Sequence, residues 1–240
     1  MIITRTANQC GKADYGWLKA QYTFSFGHYF DPNFLNYGAL RVLNQEILAP
    51  QTELKPKAYP HVDILNIILQ GEAEYRDSAG NYIQAHQGDC LLFSARQDLR
   101  YSEHNLSKKK PLHRLQIWLD AKPHQAPQPV QCKKLSAQPL ILLASPASGK
   151  NSMHLRQSAW ISYLMLQAGE AHNVPLQGRR AYLQSVSGNA EIHTDSKSGT
   201  ATHASIRCGD GIFIQDETQL NLRATSAFQG LLIDLGNQSS

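Results

Sequence analysis

Ten histidines and four cysteines are the side chains of this 240-residue chain best suited to metal or thiol chemistry. Cys10, Cys90, Cys132 and Cys208 form no C-x-x-C element, so neither a zinc cluster nor a thioredoxin-like dithiol is signalled. In a reducing cytosol they are expected as thiols. Cys90 and Cys208 fall in apolar strand patterns and are expected in cores. Cys10 and Cys132 lie in more polar stretches, and they are the two candidates for redox chemistry, although nothing beside either one signals an acidic thiol. His172 and His193 stand apart in sequence, no H-x-H pair occurs in the second half, and no histidine follows Gly209-Asp210. A metal site is therefore not expected there. The chain has no G-x-S-x-G elbow, no P-loop and no G-x-G-x-x-G. Asp14, Asp31 and Glu46 read as turn and strand-edge charges near aromatic residues, and Gly178-Arg179-Arg180 reads as a polar loop between strands rather than an anion site.

Composition narrows the classes further. Hydrophobic residues make up 42% and charged residues 18%, ordinary values for a globular domain. The net charge of +4 is mild, and its one dense run, Lys108-Lys109-Lys110, reads as a solvated hairpin loop. Nucleic-acid binders cluster far more basic residues, so no nucleic-acid partner is expected. No apolar run reaches the roughly 18–20 residues of a membrane span, and the first residues lack the pattern of a signal peptide. A cytoplasmic protein without a membrane partner is the expectation.

The elements that must position any site are short strands. Ile64-Leu65-Asn66-Ile67-Ile68-Leu69 stops at Gly71, Glu72 to Arg76 alternates, and Asp77-Ser78-Ala79-Gly80-Asn81 supplies turn chemistry. Gly88-Asp89 turns the chain before Cys90-Leu91-Leu92-Phe93, and His113 to Asp120 closes the region as another alternating strand. Strands at regular spacing, with no long helical periodicity, predict an all-β sandwich or barrel. The pattern then breaks at four prolines between 121 and 139 and resumes as a second copy. Gly188-Asn189-Ala190-Glu191 echoes Gly71-Glu72-Ala73-Glu74, Asp195-Ser196 echoes Asp77-Ser78, and Gly209-Asp210 echoes Gly88-Asp89. An ordered set of matches argues for a duplicated barrel. The expected organisation is one barrel over 1–120, a linker over 121–139 and a second barrel over 140–240.

The paired glycine motifs resemble those of cupins, whose domain is a small jelly-roll β-barrel. The segment Tyr22-Thr23-Phe24-Ser25-Phe26-Gly27-His28-Tyr29-Phe30-Asp31-Pro32 is more specific. With Val42 to Glu46, Gly71 to Asn81, Ser102-Glu103-His104-Asn105 and Leu115-Gln116-Ile117-Trp118, it resembles the pirin family of bicupins over about the first 120 residues. The second half resembles the family's weaker C-terminal cupin. The resemblance implies two cupin barrels in one chain and, by the family norm, iron or another divalent metal held by three histidines and a glutamate. Two of those histidines belong to an H-P-H element that, counted back from Gly71, falls on Lys57 and Tyr59. The third opens an H-S-E element that reads Tyr101-Ser102-Glu103 here. Of the family's four ligands only Glu103 stands. An ammonium has no lone pair and a phenol ligates poorly unless ionised, so no metal cofactor is expected. Lys57 is expected to pair with Glu103 instead, with the tyrosines filling the vacated volume. His61 and His104 are placed at the rim. His61 shares the strand face of Tyr59 and His104 points away from Glu103.

Three functions follow as expectations. The first is a binding or regulatory bicupin with a degenerate metal site at Lys57, Tyr59, Tyr101 and Glu103. It would take a small organic ligand, such as an anion drawn to Lys57, or act through a protein partner, as some pirins described as transcriptional co-regulators do. The second is a quercetin 2,3-dioxygenase-type metal-dependent oxidoreductase, an activity the family contains. The third is a thiol-based redox sensor at Cys10 or Cys132. Two barrels on one chain are compatible with a monomer.

Overall fold

The computed structural model describes residues 1–56, 59–78, 80–95, 100–147, 151–195 and 201–236. They form an almost purely β structure. Strand β1 is Ile2–Arg5. Next come β2 (Gly11–Asp14), β3 (Leu18–Tyr22), β4 (Leu40–Leu48), β5 (Thr52–Leu54), β6 (Val62–Gln70) and β7 (Glu72–Asp77). The first half continues with β8 (Tyr82–His86), β9 (Asp89–Ser94), β10 (Tyr101–Asn105), β11 (Leu112–Asp120) and β12 (Gln131–Lys134). The second half holds β13 (Leu140–Ser145), β14 (Met153–His154), β15 (Ala159–Leu166), β16 (Ala171–Pro175) and β17 (Arg180–Ser187). It ends with β18 (Ala190–Asp195), β19 (Ala201–Ile206), β20 (Gly211–Gln215), β21 (Gln219–Ala224) and β22 (Phe228–Leu235). Among the described residues no helix is long and apolar enough to cross a membrane.

The chain divides into two compact units, Gly11–Leu135 and Met1–Cys10 with Ser136–Ser240. Each is a two-sheet barrel. In the first, a seven-stranded sheet in the order β12-β9-β6-β11-β4-β3-β2 faces a four-stranded sheet β5-β10-β7-β8. In the second, β1-β20-β17-β22-β15-β13-β14 is matched by β16-β21-β18-β19. The first core gathers Ile64, Ile68, Leu91, Phe93 and Leu112. The second gathers Leu183, Ile192, Ile212, Leu220 and Leu232.

The duplication read in the sequence is stereochemical. Gly71 and Gly188 both take a positive φ, +85° and +75°. At each, the opposite chain crowds the position where a Cβ would stand: the Pro111 carbonyl oxygen lies 2.6 Å from it in the first barrel and the Ala227 carbonyl oxygen 1.9 Å in the second. Only glycine meets both demands. The Gly-Asp turns match as well. Gly88 and Gly209 are left-handed, and the Asp89 and Asp210 carboxylates each accept a hydrogen bond from the backbone amide three residues earlier, at 2.8 and 2.9 Å.

The structure differs from the expected boundaries at two places. β1 is an edge strand of the second unit, with Ile2 to Arg5 in antiparallel register with Ile214 to Gly211 of β20. Within the expected linker, β12 pairs with β9 of the first barrel. Gln131–Lys134 lies beyond the last of three closely spaced prolines, so its backbone donors are free to join a sheet.

Two cysteines also depart from expectation. Cys10 is buried, and its thiol donates to the Thr6 carbonyl at 3.7 Å. Cys208 is exposed, in the turn preceding Asp210 rather than in the core. Cys90 is buried and Cys132 exposed, as the patterning predicts.

Candidate functional site

The site lies inside the first barrel, where the inner faces of its two sheets meet. Tyr101 and Glu103 are two apart on β10 and share a face; both are buried. Tyr59, just before β6, stacks on Tyr101 with ring centroids 4.8 Å apart and an interplanar angle of 9°. Phe93 stacks on the same Tyr101 ring at 4.7 Å, and Tyr75 meets it edge-on at 5.9 Å. Above them, Trp118 packs edge-on against Tyr59 at 5.5 Å, and Phe26 against Trp118 at 5.6 Å. The aromatic segment near residue 26 thus reaches the end of the barrel nearest Tyr59.

A residue that the sequence reading passed over sits at the centre. Arg114 of β11 is 2% exposed. Its Nε lies 2.8 Å from Glu103 Oε1 and its Nη2 2.7 Å from Glu46 Oε2. Its Nη1 donates to Asn66 Oδ1 at 3.0 Å. Arg114 and Glu46 are direct cross-strand partners on β11 and β4, whereas Glu103 comes from the other sheet. The guanidinium therefore ties the two sheets together. Gln116 donates to the same Asn66 oxygen at 3.1 Å, and Asn44 donates to Glu46 at 3.1 Å. The Tyr75 hydroxyl donates to Glu103 at 3.2 Å.

The electrostatics follow from this wiring. Burial opposes the charge on Arg114, but Glu103 and Glu46 outweigh it and hold the guanidinium above its ordinary pKa. Burial pushes the Tyr59 phenol up to about 12. Burial, joined by the Glu103 charge at Tyr75 and by Tyr59 at Tyr101, holds those two phenols well above their ordinary value. All three are neutral at physiological pH.

Tyr59, Tyr101 and Glu103 are brought together, while Lys57 lies outside the described residues. His61 is half-buried, and its Nε2 meets the Lys122 carbonyl at 3.3 Å, away from the ion cluster. His104 points away from Glu103 but is buried rather than at a rim, with Nε2 2.7 Å from Ser102 Oγ. Glu46, read as a strand-edge charge, is 3% exposed and ion-paired. Arg179 pairs with Asp216 at 2.6 Å.

The family described as Pirin matches residues 3–119, and the quercetinase C-terminal cupin domain matches residues 142–235. The chain belongs to the pirin family. It is 54% identical to the pirin-like protein YhaK of Escherichia coli K12 over 98% of this chain and 99% of that one. The crystal structure of YhaK superimposes with a TM-score of 0.79 at 50% identity, covering 96% of this chain and all of that one. At 31% identity the chain is similar to quercetin 2,3-dioxygenase of E. coli K12, over 98% of this chain and 99% of that one. The bacterial pirin YhhW from E. coli, solved in complex with nickel(II), matches with a TM-score of 0.87 at 31% identity, over 98% of this chain and 99% of that one. The pirin fold of two cupin barrels is thus established for this chain, and a divalent metal is the norm against which its first-barrel site must be weighed.

Proposed function

We propose that this pirin is a binding or regulatory bicupin whose first barrel sets an arginine against the one glutamate kept from the family's metal-ligand pattern, rather than a metal oxygenase. The observation that carries this reading is the buried contact of Arg114 with Glu103 at 2.8 Å. Glu103 is the one acidic ligand the family pattern leaves in this chain, and a permanent cation is already on it. A divalent ion bound to the same carboxylate would stand about 4–5 Å from the guanidinium. At an effective dielectric near 20 the guanidinium by itself sets a repulsion on the order of 7 kcal/mol against the attraction of Glu103 and Glu46. The phenols of Tyr59 and Tyr101 cannot offset this, because burial keeps them protonated and neutral phenols are poor ligands. The residues described at this site do not fit the metal.

The stacked rings of Tyr59, Tyr101 and Phe93 occupy the volume a substrate would need. Ligand recognition in this reading belongs to the mouth of the barrel near Tyr59 and Trp118, and the ammonium of Lys57, two residues before Tyr59 in the sequence, favours an anion. A small organic anion is the class of ligand proposed. Oxygen uptake with quercetin, in the presence of ferrous, manganous or nickel ions, tests the proposal. The expected rate equals that of quercetin and metal without protein. Metal-dependent uptake that disappears in Glu103→Gln would overturn it.

The dioxygenase reading retains the support of the 31% identity to a quercetin 2,3-dioxygenase along nearly the whole chain and of the quercetinase C-terminal cupin match. The same uptake measurement decides between the two. A thiol sensor draws little support. Cys10 is buried, and burial, with the Asp89 charge beside it, raises the Cys132 thiol above its ordinary value.

A further inference from the structure

The second barrel carries a different constellation, on the outer face of its four-stranded sheet. Glu191 and His193 are two apart on β18 and share a face. His203 on β19 is the direct cross-strand partner of His193. The two imidazole rings stand 4.5 Å apart, tilted by 51°. One ligand atom from each of Glu191, His193 and His203 lies within 4.8 Å of the other two. Both histidines are exposed and the glutamate is half-exposed. Among the described residues, none of the three side chains makes a hydrogen bond or ion pair with another protein group, which leaves their ligand atoms available.

From this geometry we infer that Glu191, His193 and His203 form a surface site for a divalent transition-metal ion of the zinc, nickel or copper class. Two imidazoles and a carboxylate are the donors such ions prefer to the all-oxygen sets of magnesium or calcium. Bonds of about 2.1 Å in a tetrahedral site place ligand atoms about 3.4 Å apart. Closing from 4.8 Å takes only small side-chain rotations, which exposed residues make freely. Three protein ligands leave a fourth position to water or to a donor from outside. The ion would clip β18 to β19.

This site is separate in kind from the one inside the first barrel. In the duplicated motif Glu191 corresponds to Glu74 and His193 to Arg76. In the first barrel those positions form an outward-facing ion pair, with Arg76 Nε 2.6 Å from Glu74. The second barrel has exchanged the guanidinium for an imidazole and set another imidazole opposite. Where the first barrel has a carboxylate beside a guanidinium, the second has a carboxylate beside two imidazole donors, which favours binding of a cation from solution.

The test uses full-length, untagged protein. The wild type, His193→Ala/His203→Ala and Glu103→Gln are each incubated with zinc or nickel and passed through gel filtration, and retained metal is measured by elemental analysis. The expected result is about one ion per chain in the wild type and in Glu103→Gln, and none in the double histidine variant. Glu191→Gln is expected to weaken retention by at least about 10-fold. Cobalt(II) provides an independent readout: intense tetrahedral visible absorption in the wild type that is lost in the double variant. Both histidines are exposed, so the double histidine variant should fold, and circular dichroism checks it together with Glu103→Gln and Glu191→Gln. No retained metal in the wild type, or equal retention in the double variant, would overturn the inference.

Discussion

At the scale of single residues, Arg114 decides the character of the first barrel. It is the shared cation of two carboxylates from opposite sheets, in a place where an unpaired charge costs several kcal/mol. Arg114→Met is therefore expected to destabilise the protein by about 3–5 kcal/mol, read from urea denaturation, because Glu46 and Glu103 stay buried without a cation. Adding Glu46→Gln and Glu103→Gln to that variant should recover much of the loss. The phenols make a second prediction. Tyr59, Tyr75 and Tyr101 are raised in the folded state, whereas in the unfolded chain they ionise near pH 10. The unfolded state thus binds fewer protons above pH 10, and stability falls as pH rises from about 10 towards the folded values. Alkaline titration should show most phenolate absorbance from these residues arriving together with unfolding. Tyr59→Phe/Tyr101→Phe should shift that unfolding to higher pH.

The strands were more legible than their faces. Alternation in His113 to Asp120 marks β11, and the glycine turns mark the hairpins, because backbone stereochemistry leaves its trace in residue type. Alternation does not say which of two faces points inward, so Arg114 and Glu46 read as ordinary strand charges. Their burial depends on cross-sheet pairing with Glu103, which no local pattern encodes. The Glu191–His193–His203 group was missed for a related reason. His203 reaches His193 only through the β18–β19 register, and sequence spacing between them carries no H-x-H signal. The turns allow a direct test at this scale. Gly71→Ala and Gly188→Ala each add a Cβ against a carbonyl oxygen at a left-handed position. Each is expected to cost about 1–3 kcal/mol or more, measured by thermal or urea unfolding. Gly80→Ala makes the comparison, since its φ is also +85° but nothing lies within 4 Å of the added carbon. It should cost less than either.

At the scale of the whole chain, duplication and the two-barrel plan were legible because the motifs recur in order. The boundary was not. Ile2-Ile3-Thr4-Arg5 is a short strand with no feature that names its partner, and β20 lies more than 200 residues further on. The unit composition makes a prediction. Deleting residues 1–10 removes an edge strand from the second barrel and none from the first. Hydrogen exchange by mass spectrometry should then show faster exchange in β20 and β17, with β6 and β11 unchanged.

The pairing of β1 with β20 also orders events in time. Residues 11–135 form a continuous stretch and can close into a barrel as soon as they have left the ribosome. The second barrel cannot be completed until β20 has been made, although one of its strands, β1, is made before any strand of the first barrel. During synthesis β1, with its β-branched run Ile2-Ile3-Thr4, is an unpaired edge until β20 has been made. Long-range closure of this kind is slow, so the last step of folding should be the docking of the first strand.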